Sequence, residues 1–327
     1  MKIKDKRLPL YLTAIAAVAV TSVILRTVAL FTDFDTASGH FTSDTLFTVS
    51  SVFLFAGVIL AFSYLLFGRA RERLVADFHG AGTYITSGIL ALAFIFLAVD
   101  MAGDVFSEKS NSGALENFIG IAIILSTLIS VVYLFLYPYL GRRYSEKRGI
   151  AGLAVIMCLA LYAIHLFMDA SLPINAPNKL IDQLSYVCAA LFFLGEVRLS
   201  LGRERWASYV TFGMISALLA AYSSVPSLVL YFSGLITDGT EVILSKSICE
   251  SALTAALFLF ISARVSKVSL LHPDEPGAVA KMISAAQKSK EETAPDTVSE
   301  PADENQLSID DIIEGDKEEK SESETDE

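Results

Sequence analysis

Asn117–Leu140 reads NFIGIAIILSTLISVVYLFLYPYL, 24 residues without one charged side chain. At about 1.5 Å per residue a helix of this length spans the roughly 30 Å hydrocarbon core of a bilayer. In lipid every backbone N–H and C=O must be satisfied, and a helix does this within its own segment. A closed barrel is excluded because the run is continuous, where barrel strands alternate over about ten residues. Seven more such stretches exist, and the eight spans are read as 8–31, 44–67, 81–102, 117–140, 150–171, 180–200, 207–234 and 241–265. The predicted fold class is all-α integral membrane: an eight-transmembrane-helix bundle over 1–266, with a disordered acidic C-terminal tail over 267–327. The lipid bilayer is its first partner.

Orientation follows from lysine and arginine in the short connections. Lys2, Lys4, Lys6 and Arg7, then Arg69, Arg71 and Arg73, then Arg142, Arg143, Lys147 and Arg148 fall on one side. Arg203, Arg205, Arg264 and Lys267 join them, while the other side holds only Lys109 and Lys179. The expected location is the cell (cytoplasmic) membrane, with both termini in the cytoplasm. The basic start and the first apolar run resemble a signal peptide, but the run continues to Phe31, too long for a cleaved one.

The net charge of −11 is unevenly spread. Residues 1–266 hold 18 acidic and 19 basic side chains, and 267–327 hold 18 acidic and 6 basic. The acidity therefore belongs to the tail, which is too polar to bury a core. Within it, Leu307, Ile309, Ile312 and Ile313 form an apolar segment able to dock on a cytoplasmic protein, with a solubilising spacer as the plainer reading. Nothing basic enough for nucleic acid remains once topology accounts for the arginines. Cys158, Cys188 and Cys249 lie inside spans without CxxC spacing and read as small core residues, so no metal and no cofactor is expected.

Two echoes suggest a 4+4 parallel repeat. Leu30-Phe31-Thr32-Asp33 ends the first span and Leu166-Phe167-Met168-Asp169 the fifth, while Gly68-Arg69 and Gly202-Arg203 follow the second and sixth. Short matches also arise by chance in apolar sequence.

Charges within spans cost several kcal/mol and usually face a bundle interior or a water-filled cavity. Seven polar groups fall in the outer half: Arg26, Asp100, His165, Asp169, Asp182, Lys246 and Glu250. One reading is an outward-facing vestibule where Arg26 and Lys246 anchor a small anionic ligand from outside. The other is internal ion pairing, Lys246 with Glu250 and Arg26 with Asp100 or Asp169. Asp100, Asp169 and Asp182 lie close enough to the interface to be simply hydrated. On the inner side, Glu196 is expected to pair with a neighbouring loop arginine and Arg198 to snorkel to the surface. Pro226 interrupts the seventh span after Ser223 and Ser224 and is a candidate hinge. Asp33 and Asp35 begin a loop that lacks the rest of a calcium-binding pattern and reads as a turn before Gly39.

No HExxH, GxSxG, P-loop or dinucleotide fingerprint is present, so an enzyme ranks last. The residues Leu166-Phe167-Met168-Asp169, Asn175-Ala176-Pro177-Asn178-Lys179, Asp182-Gln183-Leu184, Glu196-Val197-Arg198 and Leu201-Gly202-Arg203 make the chain similar to uncharacterised multi-pass membrane proteins of clostridial-type bacteria. The resemblance implies a bacterial cytoplasmic membrane and carries no activity and no functional residues. The leading expectation is a non-enzymatic sensor or scaffold with an outer-half polar pocket and a partner-docking tail. The alternative is a secondary transporter of a small anion or metabolite.

Overall fold

The computed structural model describes residues 7–35, 40–41, 43, 45–67, 74–76, 81–106, 114–140, 146–168, 177–201, 205–234 and 248–270. They form eight long helices: α1 Arg7–Thr32, α2 Thr45–Phe67, α3 Ala81–Phe106, α4 Ala114–Leu140, α5 Glu146–Met168, α6 Pro177–Ser200, α7 Trp206–Ser233 and α8 Ile248–Val265. All eight are long and apolar enough to cross a membrane. Helices α3 and α5 each extend four residues beyond the expected spans, because the helical hydrogen-bond ladder continues past the apolar core into polar flanks. The stretch 241–247, expected in the eighth span, lies outside the described residues. Gly234 stops α7 in the left-handed conformation, φ 70°, and donates its N–H to the Tyr231 carbonyl, the glycine-based helix stop.

Helices α3, α4, α5, α6, α7 and α8 pack each against the next, and α8 packs back on α3 to close a six-helix ring. The α1–α2 hairpin lies against α7, which consequently buries most of its surface. Large apolar side chains such as Phe55, Ile59, Phe96, Val99, Phe118 and Val132 point outward, the arrangement expected where the surrounding solvent is hydrocarbon. The packing does not repeat at a four-helix offset. The extensive α1–α7 and α2–α7 contacts have no counterparts of similar extent between α5 and α3 or between α6 and α3. The echoes that suggested a 4+4 repeat are therefore not matched by a repeated packing of the described helices.

Close approach within the ring is set by small residues, as lipid offers no hydrophobic drive between helices. A Cβ placed on Gly213 of α7 would meet Val265 Cγ2 of α8 at 2.5 Å and Phe192 of α6 at 3.0 Å. Two short antiparallel ladders complete the described structure. β1 (Phe34–Asp35) pairs with β2 (His40–Phe41) around the expected turn, whose residues 36–39 lie outside the described set. β3 (Leu74–Ala76), between α2 and α3, pairs with β4 (Val268–Leu270), just after α8. The chain divides into two units, 1–283 and 284–327. All described residues belong to the first, so Leu307, Ile309, Ile312 and Ile313 fall outside them.

Candidate functional site

The connections 68–80, 141–145 and 201–205 carry Arg69, Arg71, Arg73, Arg142, Arg143, Arg203 and Arg205, so the end of the bundle they join is called the basic end. Near the opposite end, polar side chains from several helices form a layer. Tyr162 of α5 donates its hydroxyl to Glu250 Oε1 in the first turn of α8. The same ring stacks with His165, one turn further along α5, at 6.0 Å, and meets Tyr186 of α6 edge-on at 5.0 Å. One turn before Tyr186, Asp182 is buried and accepts a hydrogen bond from Ser223 of α7. Asp100 of α3 lies within electrostatic range of Tyr162 and Cys249.

Next to Ser223 on α7, Tyr222 turns towards the α1–α2 hairpin. The Arg26 guanidinium of α1 sits 4.3 Å above its ring centroid, and its hydroxyl shares a 2.9 Å hydrogen bond with Ser50 of α2. A cation over a buried aromatic face gains from the ring quadrupole where water is absent. Pro226 is one turn beyond Tyr222 in an otherwise continuous helix. Ser224 and Ser227 bond back to the carbonyls of Ala220 at 2.7 Å and Ser223 at 2.9 Å.

The structure thus brings His165 and Glu250 onto one tyrosine, with Asp100 nearby, and places Arg26 on the far side of α7. Asp169 and Lys246 lie outside the described residues. Two expectations change. Asp100 is not at the end of its helix, since α3 runs six residues further. Asp182 is not simply hydrated at the interface, since α6 begins at Pro177 and packing against α7 buries its carboxylate. Sequence reasoning missed Tyr162 and Tyr186, and read Ser223 only as a neighbour of the Pro226 kink, without the Asp182 hydrogen bond or the role of Tyr222 beside it. The available signal was spacing: Tyr162 and His165 are three apart and Asp182 and Tyr186 four apart, so each pair shares a helix face.

Among the described residues, the buried His165 Nδ1 and Ser251 hydroxyl at this layer make no hydrogen bond, while the Tyr186 hydroxyl lies beside Thr254. No group of three His, Cys, Asp or Glu side chains able to hold a metal occurs among the described residues.

The basic end is built differently. Glu196 of α6 is buried and gathers three partners: Arg264 Nε of α8 at 3.0 Å, the Tyr209 hydroxyl of α7 at 2.6 Å and the Tyr137 hydroxyl of α4 at 2.9 Å. Arg264, counted above among the loop cations, is fully buried inside the ring, because α8 continues past it to Val265. Arg198, two residues along, is exposed. Below this network Phe260 stacks on Phe193 at 5.6 Å and meets Tyr137 edge-on at 5.4 Å. Helices α4, α6, α7 and α8 are thereby drawn together around one neutralised pair.

Comparison with known proteins finds no matching family model, no matching curated protein and no matching solved structure. The eight apolar helices make the chain a polytopic membrane protein that contacts lipid.

Proposed function

We propose that the protein is a non-enzymatic membrane receptor in which α8 links a polar site to the acidic tail. In this reading the basic end faces the cytoplasm, as the loop arginines favour, and the Glu250 layer faces outward. One observation carries it. A single helix bears Glu250 in its first turn and Arg264 in its last, about 21 Å apart, and runs directly into β4, which roots the tail. β4 is clipped to the α2–α3 connection, and Lys267 reaches Thr83 at the start of α3 with 3.3 Å between Nζ and Oγ1. Any displacement of α8 at the Glu250 layer therefore loads this clip.

The basic end argues for reception over transport. Alternating access needs each end to open in turn, usually around broken helices near the midplane. Here the basic end is closed by Glu196, Arg264 and an aromatic layer, and Pro226 is the one proline deep inside a described span.

Disulfide trapping tests the proposal. Val75 and Ser269 are direct partners across the ladder. In a background without native cysteines, Val75→Cys with Ser269→Cys should cross-link at a rate that Glu250→Gln changes severalfold. Equal rates with and without Glu250→Gln would remove the receptor reading. Substrate uptake into proteoliposomes that Glu250→Gln abolishes would favour the transporter instead.

A further inference from the structure

Resting on that reading, we propose that the ligand of the Glu250 layer is the proton, taken up from the outer water by His165 and felt by α8 through the Tyr162 ring. Histidine is the side chain whose charge ordinarily changes between about pH 5 and 8. The geometry suits a charge at this position. The imidazole stacks on Tyr162 with 6.0 Å between centroids and 28° between planes, within reach of a cation–π contact. His165 also stands in the last turn of α5, where the carbonyls of a helix end favour a cation. Its Nδ1 is buried and makes no hydrogen bond among the described residues, so no fixed donor or acceptor on that nitrogen ties the ring to one protonation state. The residue as a whole is partly exposed, which gives protons a route from that end of the bundle.

The titratable and charged groups around α5 at this end come from its neighbours α4 and α6, and from α8 and α3 across the ring. α4 brings Glu116 in its first turn, and α6 brings Tyr186 with Lys179 and Asp182, all three buried. α8 brings Cys249 and Glu250, and α3 brings Asp100 and Asp104. Asp169 and Lys246 lie outside the described residues. Carboxylates predominate among the described groups, so the charge this end accommodates is positive. Uptake adds a proton to the imidazole lone pair and gives imidazolium, with no bond broken in the protein. A cation over the Tyr162 face draws density from the ring and makes its hydroxyl a stronger donor to Glu250. Acid therefore draws the start of α8 towards α5. Glu250→Gln weakens the same bond, so the two should move the β3–β4 clip in opposite directions.

The test uses intact cells, whose cytoplasm holds its pH while the medium is taken from about pH 8 to about pH 5.5. The Val75→Cys, Ser269→Cys chain without native cysteines is oxidised with a membrane-permeant reagent, so the thiols react at constant internal pH. Acid outside should change the cross-linking rate severalfold, opposite in sign to Glu250→Gln. His165→Phe keeps a ring on Tyr162 and should abolish the acid response. His165→Gln should do the same, and serves if the first variant fails to fold. An acid response that survives both variants overturns the proposal, because another group is then titrating. A response of the same sign as Glu250→Gln overturns it equally. No acid response, in a chain whose cross-linking does change with Glu250→Gln, removes the proton and leaves the receptor reading standing. If the clip answers to neither, infrared difference spectra of the full chain in nanodiscs decide. Histidine protonation accompanied by a shift of the Tyr162 C–O band, both lost in His165→Phe, keeps the proton site and removes the receptor. Spectra without the Tyr162 shift remove both.

Discussion

Glu196 illustrates how a carboxylate is kept inside a membrane helix. Its charge is met by Arg264, and two tyrosine hydroxyls donate to the same carboxylate. A buried pair of this kind adds little net stability, because desolvating two ions offsets their attraction, yet removing one partner leaves a bare charge. Arg264→Met should therefore cost about 3–5 kcal/mol. The double variant Glu196→Leu with Arg264→Met should cost less than that single change, as read by unfolding in nanodiscs. A double variant as damaged as the sum of its singles would show that the pair is not the unit. Tyr222 offers a second contrast. Tyr222→Phe keeps the ring under Arg26 and loses the hydroxyl's contacts with Ser50 at 2.9 Å and Ser51 at 3.5 Å, hydrogen bonds worth about 0.6 kcal/mol each in a membrane interior. Tyr222→Leu also removes the cation–π contact and should cost about 1–2 kcal/mol more. Equal costs for the two would mean that the guanidinium gains nothing from the ring.

At the scale of the element, what the sequence displays and what it hides have different physical origins. Helix number and approximate ends follow from hydropathy, because lipid forbids unpaired backbone. Helix partners do not, because lipid-facing and core-facing side chains are equally apolar. Phe96 is exposed to lipid while Phe94, two residues earlier, is fully buried, and nothing in their chemistry separates them. Arg26, His165 and Glu250 drew attention because charge is costly in a span. Tyr162 and Tyr186 did not, since tyrosine is ordinary there. Glycines hold part of the missing information. Gly213→Ala should lower the melting temperature clearly, because the new methyl would press on Val265 and Phe192, both on packed helices. Gly88→Ala, with no atom within 4 Å of its would-be Cβ, should be neutral or stabilising by roughly 0.5–1 kcal/mol through helix propensity. Paired melting curves check both, and equal destabilisation would refute the close-packing argument.

For the whole molecule, orientation is the expectation most directly open to measurement. If the basic end is cytoplasmic, Ser145→Cys should resist a membrane-impermeant maleimide in intact cells, and Ser110→Cys should react. The reverse labelling would invert the bundle and place the Glu250 layer inside. The closed ring has a further consequence, for biosynthesis. It is shut by contact between α3 and α8, the third and the last of the described helices to leave the ribosome. Arg264 is made 68 residues after Glu196, a delay of roughly 3–14 s at bacterial elongation rates. For that interval the nascent chain lacks the helix that closes the ring, and Glu196 is without the Arg264 partner it has in the folded protein. Chains stopped before residue 264 are accordingly expected to be degraded rather than accumulate, which a pulse-chase of truncated and full-length chains would reveal.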